Sequence, residues 1–169
     1  MKIEIERKFL VGSDAWRTAR GGIRYRQGYL CTDPERTVRV RIGGDTAILA
    51  VKGHGDGLSR PEFEFPIPAV EAEQLMICCC LQPVIDKVRY RIDFAGLTWE
   101  VDEFLGANHG LILAEIELAH PDQPVPLPPW IGPEVTGDPR YYNAYLARHP
   151  YAGWAGGVAE AGHGSGSLL

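Results

Sequence analysis

The sequence predicts a mainly β fold with a small helical part: an eight-stranded antiparallel β-barrel with short flanking helices. Apolar and polar residues alternate with period 2 in eight short runs, turn sequences separate the runs, and charged doublets occupy alternate positions within them. Such alternation is typical of antiparallel strands. A closed barrel of about eight strands would give every strand two neighbours and an enclosed interior face.

The eight runs cover residues 3–11, 23–31, 37–42, 46–52, 60–67, 84–94, 97–104 and 111–118. Two of the connections are short and rich in glycine, namely Gly43-Gly44-Asp45 and Ala95-Gly96. Connections of this kind form tight hairpins. Strands that follow one another in sequence are therefore expected to pair.

Two helices are expected outside the strand runs. Residues 69–77 have the apolar spacing of a short helix between the fifth and sixth strands. A Pro-rich connector over 121–133 leads to a second helix over 140–148, which Asp138 can cap and Pro139 can open. The second helix is expected to plug or flank one end of the barrel.

The length of 169 residues suits one domain. The barrel domain is expected to span residues 1–150, and the Gly- and Ala-rich tail over 151–169 is expected to be disordered. A net charge of −5 argues against binding to nucleic acid. The sequence has no apolar run near the roughly 20 residues of a membrane helix, so a cytoplasmic protein without membrane contact is expected.

The four cysteines, Cys31 and Cys78 to Cys80, lack the spacing of a zinc site. They are expected to be small apolar groups with no chemical role.

Charged side chains recur at every second position on most of the runs. The doublets are Glu4/Glu6 with Lys8, Arg39/Arg41, Glu62/Glu64, Lys87/Arg89, Glu100/Asp102 and Glu115/Glu117. For any single strand, a solvated outer face is the favoured interpretation. Their neighbours are apolar, however, and form a second face that also needs burial: Ile3, Ile5, Val38, Val40, Ile42, Phe63, Phe65, Val88, Val101, Phe104, Ile116 and Leu118.

One face must therefore turn inward, and we expect it to be the charged one. The helices and the Pro-rich connector could then cover part of the apolar outer wall, and a homodimer interface could cover more. Carboxylates spaced about 7 Å apart on one strand repel one another in an enclosed space. Mg²⁺ or Mn²⁺ would neutralise them, and Arg and Lys would bind a phosphate chain.

The sequence resembles the CYTH, or triphosphate tunnel metalloenzyme, family, whose hallmark is a Glu-x-Glu-x-Lys strand at the N-terminus. Here the strand reads Glu4-Ile5-Glu6-Arg7-Lys8. The likeness covers about the first 150 residues in family order, through RQGYL (26–30), VRVRI (38–42), LAVKG (49–53), LSRPEFEF (58–65), DKVRYRI (86–92), WEVDEF (99–104) and AEIEL (114–118). The resemblance implies an eight-stranded tunnel that acts on triphosphates with a divalent metal.

The resemblance also implies site residues by matching position. The implied metal ligands are Glu4, Glu6, Asp102, Glu115 and Glu117, with Glu100 in support. The implied substrate-binding residues are Lys8, Arg39, Arg41, Lys52, Lys87 and Arg89, while Arg60, Glu62 and Glu64 would orient them. In the catalytic set, Glu4 or Glu6 would orient the attacking water, and Lys8 or Lys52 would assist the leaving group. Tyr29 and Arg140 are further candidates.

Hydrolysis of inorganic tripolyphosphate, a small-molecule substrate, is the leading expectation, since the chain is similar to the small stand-alone bacterial members of the family. Three alternatives stay open: an adenylate cyclase of the class IV type, a thiamine or nucleoside triphosphatase, and a polyphosphate-binding module without catalysis. A binding module would need the cations but has little use for so many aligned carboxylates. A barrel with merely solvated charges would leave the repeated doublets unexplained.

Overall fold

A computed structural model describes residues 2–18, 21–56 and 58–154. Nine strands form one antiparallel sheet: β1 (Lys2–Val11), β2 (Ile23–Asp33), β3 (Arg36–Gly43), β4 (Thr46–Gly53), β5 (Ser59–Pro66), β6 (Ile85–Phe94), β7 (Leu97–Phe104), β8 (Ile112–Glu117) and β9 (Ile131–Glu134). The helices are α1 (Ala69–Cys78) and α2 (Asn143–Leu146), and short 3-10 turns lie at Asp14–Thr18, Gly106–Asn108, Pro139–Tyr141 and Tyr151–Gly153.

The first eight strands close into a barrel in the order β5-β4-β3-β2-β6-β7-β8-β1, because β1 also pairs with β5. On that side β1 changes partner along its length: Lys2 to Ile5 pair with β5, whereas Phe9 and Val11 pair with β9. The predicted hairpins at Gly44 (φ 56°) and Ala95-Gly96 (φ 49° and 79°) are present. The predicted eight-stranded barrel is confirmed.

The apolar side chains pack mainly on the outside of the barrel wall. Trp99 on β7 is fully buried beneath the connector and lies 5.5 Å from the ring of Phe9 and 6.0 Å from that of Trp130. On the opposite wall, Val40 and Ala47 pack against Ala72 and Met76 of α1. These two clusters leave the barrel interior to polar side chains.

A third apolar cluster closes one end of the barrel. Leu146 of α2 is fully buried there against Ile85, Leu111, Leu113 and Phe104. Phe104 was expected on the outer face, but it shares the inward phase of Asp102, and Lys87 Nζ lies 5.5 Å from its ring centroid. At this end of the barrel, the inward-facing residues beyond the charged doublets are therefore apolar, and α2 packs on them and closes the end.

Ile3, Phe63 and Phe65 on the outer wall of β1 and β5 are 50%, 42% and 51% exposed. This exposed apolar surface could form the predicted homodimer interface, which stays a prediction. Among the described residues, no helix has the length and apolar character needed to span a membrane.

Two local details differ from the sequence-based predictions, and one prediction falls largely outside the described residues. Strand β9 was not expected, because Gly132 and Pro133 are poor strand residues. The predicted helix over 140–148 is broken at Tyr142, which is extended (φ −75°, ψ 136°), although Asp138 does accept a hydrogen bond from the Arg140 amide as a cap. The tail predicted to be disordered lies outside the described residues from position 155 onward, while Tyr151–Gly153 form a 3-10 turn.

Candidate active site

The barrel encloses a central cavity of about 660 Å³. Charged side chains reach it because they occupy, on seven of the strands, the alternate positions whose side chains point into the barrel. All the predicted catalytic, substrate-binding and metal residues except Asp102 line it: Glu4, Glu6, Lys8, Arg39, Arg41, Lys52, Lys87, Arg89, Glu115 and Glu117. Glu62, Glu64 and Glu100 line it as well.

Acidic side chains from β1 and β8 face one side of the central cavity. The antiparallel register places Glu6 opposite Glu117 and Lys8 opposite Glu115. Lys8 Nζ lies 2.9 Å from Glu115 Oε1 and 3.7 Å from Glu6 Oε1. Burial, with the charge of Glu115, raises the pKa of Glu6. Glu6 therefore lies in a crowded acidic environment that an additional cation would relieve.

Lys8 stays charged in this environment. Burial by itself would lower the pKa of Lys8, but the carboxylates of Glu115 and Glu6 outweigh it and raise that pKa. Conversely, the Lys8 ammonium and the Arg89 guanidinium overcome the burial of Glu115 and hold its pKa well below the usual range. The two groups form an ion pair in the wall of the cavity.

Asp102 lies beneath the cavity wall and is fully buried. It accepts hydrogen bonds from Lys87 Nζ at 2.5 Å and from Arg89 Nε and Nη2 at 2.7 and 2.6 Å. Arg89 also donates to Glu115 at 2.8 Å and to Glu100. Burial lowers the pKa of Lys87 to about 8 in spite of Asp102. Asp102 thus positions two basic residues here, and its role as a metal ligand stays a prediction.

The basic residues of β3 and β4 are held by the acidic doublet of β5. Arg39 Nη2 lies 3.2 Å from Glu62 Oε1, and Arg41 Nη2 lies 3.4 Å from Glu64 Oε1. Lys52 Nζ lies 3.3 Å from Glu62 Oε1 and also contacts Glu4. These are the ion pairs that the orienting role of the β5 carboxylates requires. Arg60 instead donates to Thr37 Oγ1 at 2.6 Å.

The donor set fits a divalent cation chemically, although it is not preassembled around one. Glu4, Glu6, Glu115 and Glu117 supply hard oxygen ligands from two adjacent strands to one cavity. Within the described part of the chain, no three His, Cys, Asp or Glu side chains form a cluster ready to hold a metal. Metal binding at these carboxylates would therefore displace some of their Lys and Arg partners.

A second cavity of about 460 Å³ lies at the plugged end and is called the α2-end cavity. Its walls include Tyr29, Tyr142, Tyr145 and Arg60. It shares part of its lining with the central cavity: Glu4, Glu6, Lys8, Arg39, Lys52 and Asn143. The shared charged residues thus lie where the central cavity meets the less polar α2-end cavity. Arg140 lines neither cavity; it lies 2.6 Å from Asp138 on the surface.

Sequence reasoning missed two polar residues of the site. Gln27 is fully buried in β2 next to Arg39, and Asn143 lines both cavities with its Oδ1 buried and without a hydrogen-bond partner in the described part of the chain. The sequence signals for Gln27 are its position on the inward face of β2 between Tyr25 and Tyr29 and its place in the RQGYL segment (26–30) that carries the family resemblance. No sequence pattern pointed to Asn143, because its position at the cavities depends on the helix break at Tyr142.

Comparison with known proteins agrees with this architecture. The CYTH domain family model matches residues 2–142. An inorganic triphosphatase of Acetivibrio thermocellus is 51% identical over 148 residues, covering 88% of this chain and 95% of that protein. An inorganic triphosphatase of Nitrosomonas europaea is 39% identical over 150 residues, covering 85% and 96%. The crystal structure of the inorganic triphosphatase NE1496 superimposes with a TM-score of 0.61 at 34% identity, covering 85% of this chain and 96% of that one.

Proposed function

The chain belongs to the CYTH domain family, and we propose that it is a metal-dependent inorganic triphosphatase that hydrolyses tripolyphosphate in the central cavity. The observation that carries the proposal is the lining of this cavity, in which acidic residues of β1 and β8 face basic residues of β3, β4 and β6. A small polyanion needs the basic residues, and its reaction with water needs the acidic ones. The two relatives named inorganic triphosphatase support the same substrate.

The basic residues bind the substrate and stabilise its charge. Arg39 and Arg41 offer guanidinium donors to phosphate oxygens, while Arg89, whose nitrogens all donate to carboxylates, and Lys8, Lys52 and Lys87 offer positive charge. Their carboxylate partners keep them oriented toward the cavity before substrate arrives. This preorganisation lets the cavity stabilise charge that spreads over the phosphoryl oxygens in the transition state.

Hydrolysis splits tripolyphosphate into pyrophosphate and phosphate. Water attacks the terminal phosphorus, its proton passes to a carboxylate, and the bond from this phosphorus to the bridging oxygen breaks. We assign the carboxylate role to Glu6 rather than Glu4, because Glu4 accepts a hydrogen bond from Lys52 whereas Lys8 Nζ lies 3.7 Å from Glu6. Lys8 or Lys52 stabilises the pyrophosphate oxygen that leaves.

The proposed cofactor is Mg²⁺ or Mn²⁺, which Glu4, Glu6, Glu115 and Glu117 would hold, with Asp102 as a further candidate ligand once it is released from Lys87 and Arg89. When bound, such an ion neutralises phosphate charge and lowers the pKa of a coordinated water. A cytoplasmic location is also proposed, since all four cysteines are free thiols.

The test is phosphate release from tripolyphosphate, ATP and thiamine triphosphate, each with Mg²⁺, with Mn²⁺ and with EDTA. We expect fast, metal-dependent release from tripolyphosphate and a loss of at least about 100-fold in Glu6→Gln. Glu134→Gln, the same chemical change on outer strand β9, is the matched control and should retain full activity. Cyclic AMP formed from ATP would support the cyclase instead, and tripolyphosphate binding without any turnover would support a binding module.

A further inference from the structure

Gln27 is a fully buried amide inside the barrel wall, between the two cavities. On the same inward phase of β2, Tyr25 lines the central cavity and Tyr29 lines the α2-end cavity. An apolar side chain of similar size could fill this place without the cost of burying an amide. The amide is therefore there for the contacts that it makes.

Both ends of the Gln27 amide are hydrogen-bonded to cavity-lining residues. Gln27 Oε1 accepts from Arg39 Nη1 at 3.0 Å, and Gln27 Nε2 donates to Tyr29 Oη at 2.9 Å. Arg39 also contacts Glu62 at 3.2 Å, while its Nε has no partner among the described residues. Gln27 is thus one of two anchors that fix this guanidinium.

The chemistry of these three groups fixes the direction of the hydrogen bonds. A guanidinium can only donate, so the amide oxygen must face Arg39. The amide NH₂ then faces Tyr29, whose oxygen must accept, so the Tyr29 hydroxyl hydrogen points away from Gln27. Tyr29 lies close enough to Arg39, Lys8 and Arg60 for their charges to affect its pKa, which burial nevertheless raises, so the hydroxyl stays protonated.

We infer that Gln27 is a positioning residue: it holds Arg39 toward a phosphate chain in the central cavity, and it turns the Tyr29 hydroxyl hydrogen away from itself, toward the end of that chain that reaches the α2-end cavity. The inference rests on the proposed function, because the phosphate chain is the substrate assigned above. Gln27 itself touches neither the phosphates nor the reacting atoms, and its effect passes through its two neighbours.

The first test is Gln27→Met, which keeps the side-chain length and removes both hydrogen bonds. We expect the KM for tripolyphosphate with Mg²⁺ to rise about tenfold, as for loss of one hydrogen bond to a charged group, with kcat changed less than about threefold. The Kd of tripolyphosphate in EDTA, measured by calorimetry, should rise by a similar factor. A merely structural role would lower the melting temperature and leave both KM and Kd within about twofold.

The second test is Gln27→Glu, which is nearly isosteric but can only accept. Arg39 keeps its partner, whereas Tyr29 must now donate its hydrogen to the new carboxylate. Because the added charge alone also weakens phosphate binding, the change is made in the wild type and in Tyr29→Phe. We expect Gln27→Glu to raise KM and Kd at least about threefold more in the wild type than in the Tyr29→Phe background.

The same factor in both backgrounds would overturn the inference about Tyr29, and this comparison stands even if Gln27→Met does not fold. A wild type that hydrolyses tripolyphosphate while Gln27→Met binds it unchanged would overturn the role of Gln27 and leave the proposed function intact. A wild type without hydrolysis would instead overturn the proposed function.

Discussion

The buried pair of Lys87 and Asp102 leads to a prediction about stability and pH. Burial places the folded-state pKa of Lys87 at about 8, below the value of about 10.4 expected in the unfolded chain. The native protein therefore binds fewer protons than the unfolded chain between these values, and stability rises with pH there. Below about pH 8, native Lys87 is charged, and this buried charge is stabilised by the Asp102 carboxylate, whose Oδ2 lies 2.5 Å from Lys87 Nζ.

The perturbation is Asp102→Asn, which keeps the shape and removes the charge. Lys87 then loses its nearest counter-charge, so its folded-state pKa falls further below about 8 and the neutral form is favoured at pH 7. The wild type gains roughly 1–2 kcal/mol at pH 7 by keeping this proton with a pKa of about 8, and the variant loses that gain. Arg89 still forms ion pairs with Glu115 and Glu100 in the variant. The free energy of unfolding that is lost at Arg89 is therefore the same at both pH values.

The assay is urea unfolding of both proteins in EDTA at pH 7 and pH 9.5. Asp102→Asn should be destabilised at both pH values, but by about 1–2 kcal/mol more at pH 7, because Lys87 is neutral in both native proteins at pH 9.5. A melting temperature at pH 7 would show the same extra loss as roughly 2–8 °C. An equal loss at the two pH values would refute the coupling between Lys87 and Asp102.

Three further predictions concern the outer wall and surface. Trp99→Ala should cost about 3–5 kcal/mol of unfolding free energy in urea, because this fully buried ring joins the connector to β7; a loss below about 1 kcal/mol would contradict that role. Arg7 holds the pKa of Glu134 below its usual value, so Glu134→Gln should destabilise by about 0.2–1 kcal/mol at pH 7 and by progressively less as the pH falls through this lowered pKa and native Glu134 becomes protonated; a loss that does not shrink on acidification would exclude the ion pair. Arg140→Ala should leave kcat and KM for tripolyphosphate within about twofold, since Arg140 pairs with Asp138 outside both cavities, and a tenfold change would place it in the site.

The strands and the inward charged face could be predicted because both depend on local alternation. Lys8 and Lys87 are 4% and 2% exposed, as expected for cations inside a barrel rather than on a surface. Strict alternation places Phe104 on the same inward face as Glu100 and Asp102, but its apolar side chain suggested the outer face, because the inward face changes from charged to apolar toward the plugged end. It also could not show that Asp102 lies beneath the cavity wall, because depth depends on side-chain packing between neighbouring strands.

The remaining differences arise from long-range contacts. Strand β9 forms because β1 leaves an open edge beyond Ile5, which no local pattern in the connector signals. Gln27 is one polar residue in a strand, and its importance depends on Arg39, which belongs to another strand. The register between β2 and β3 pairs Tyr29 with Arg39 and Gln27 with Arg41, so Arg39 reaches Gln27 as its diagonal neighbour. Such positions need the three-dimensional arrangement before their chemistry can be recognised.

The partner change along β1 has a consequence for synthesis on the ribosome. Residues 6–11 of β1 are made more than 100 residues before their partners in β8 and β9, and the plugged end cannot form before Leu146 has been made. Closing so long a loop is slow, so β1 should stay exposed until most of the chain has emerged. Its alternating charges keep it solvated meanwhile and protect a nascent strand edge from pairing with other chains. The charged residues that line the cavity in the folded protein would thus also reduce aggregation of the chain before it folds.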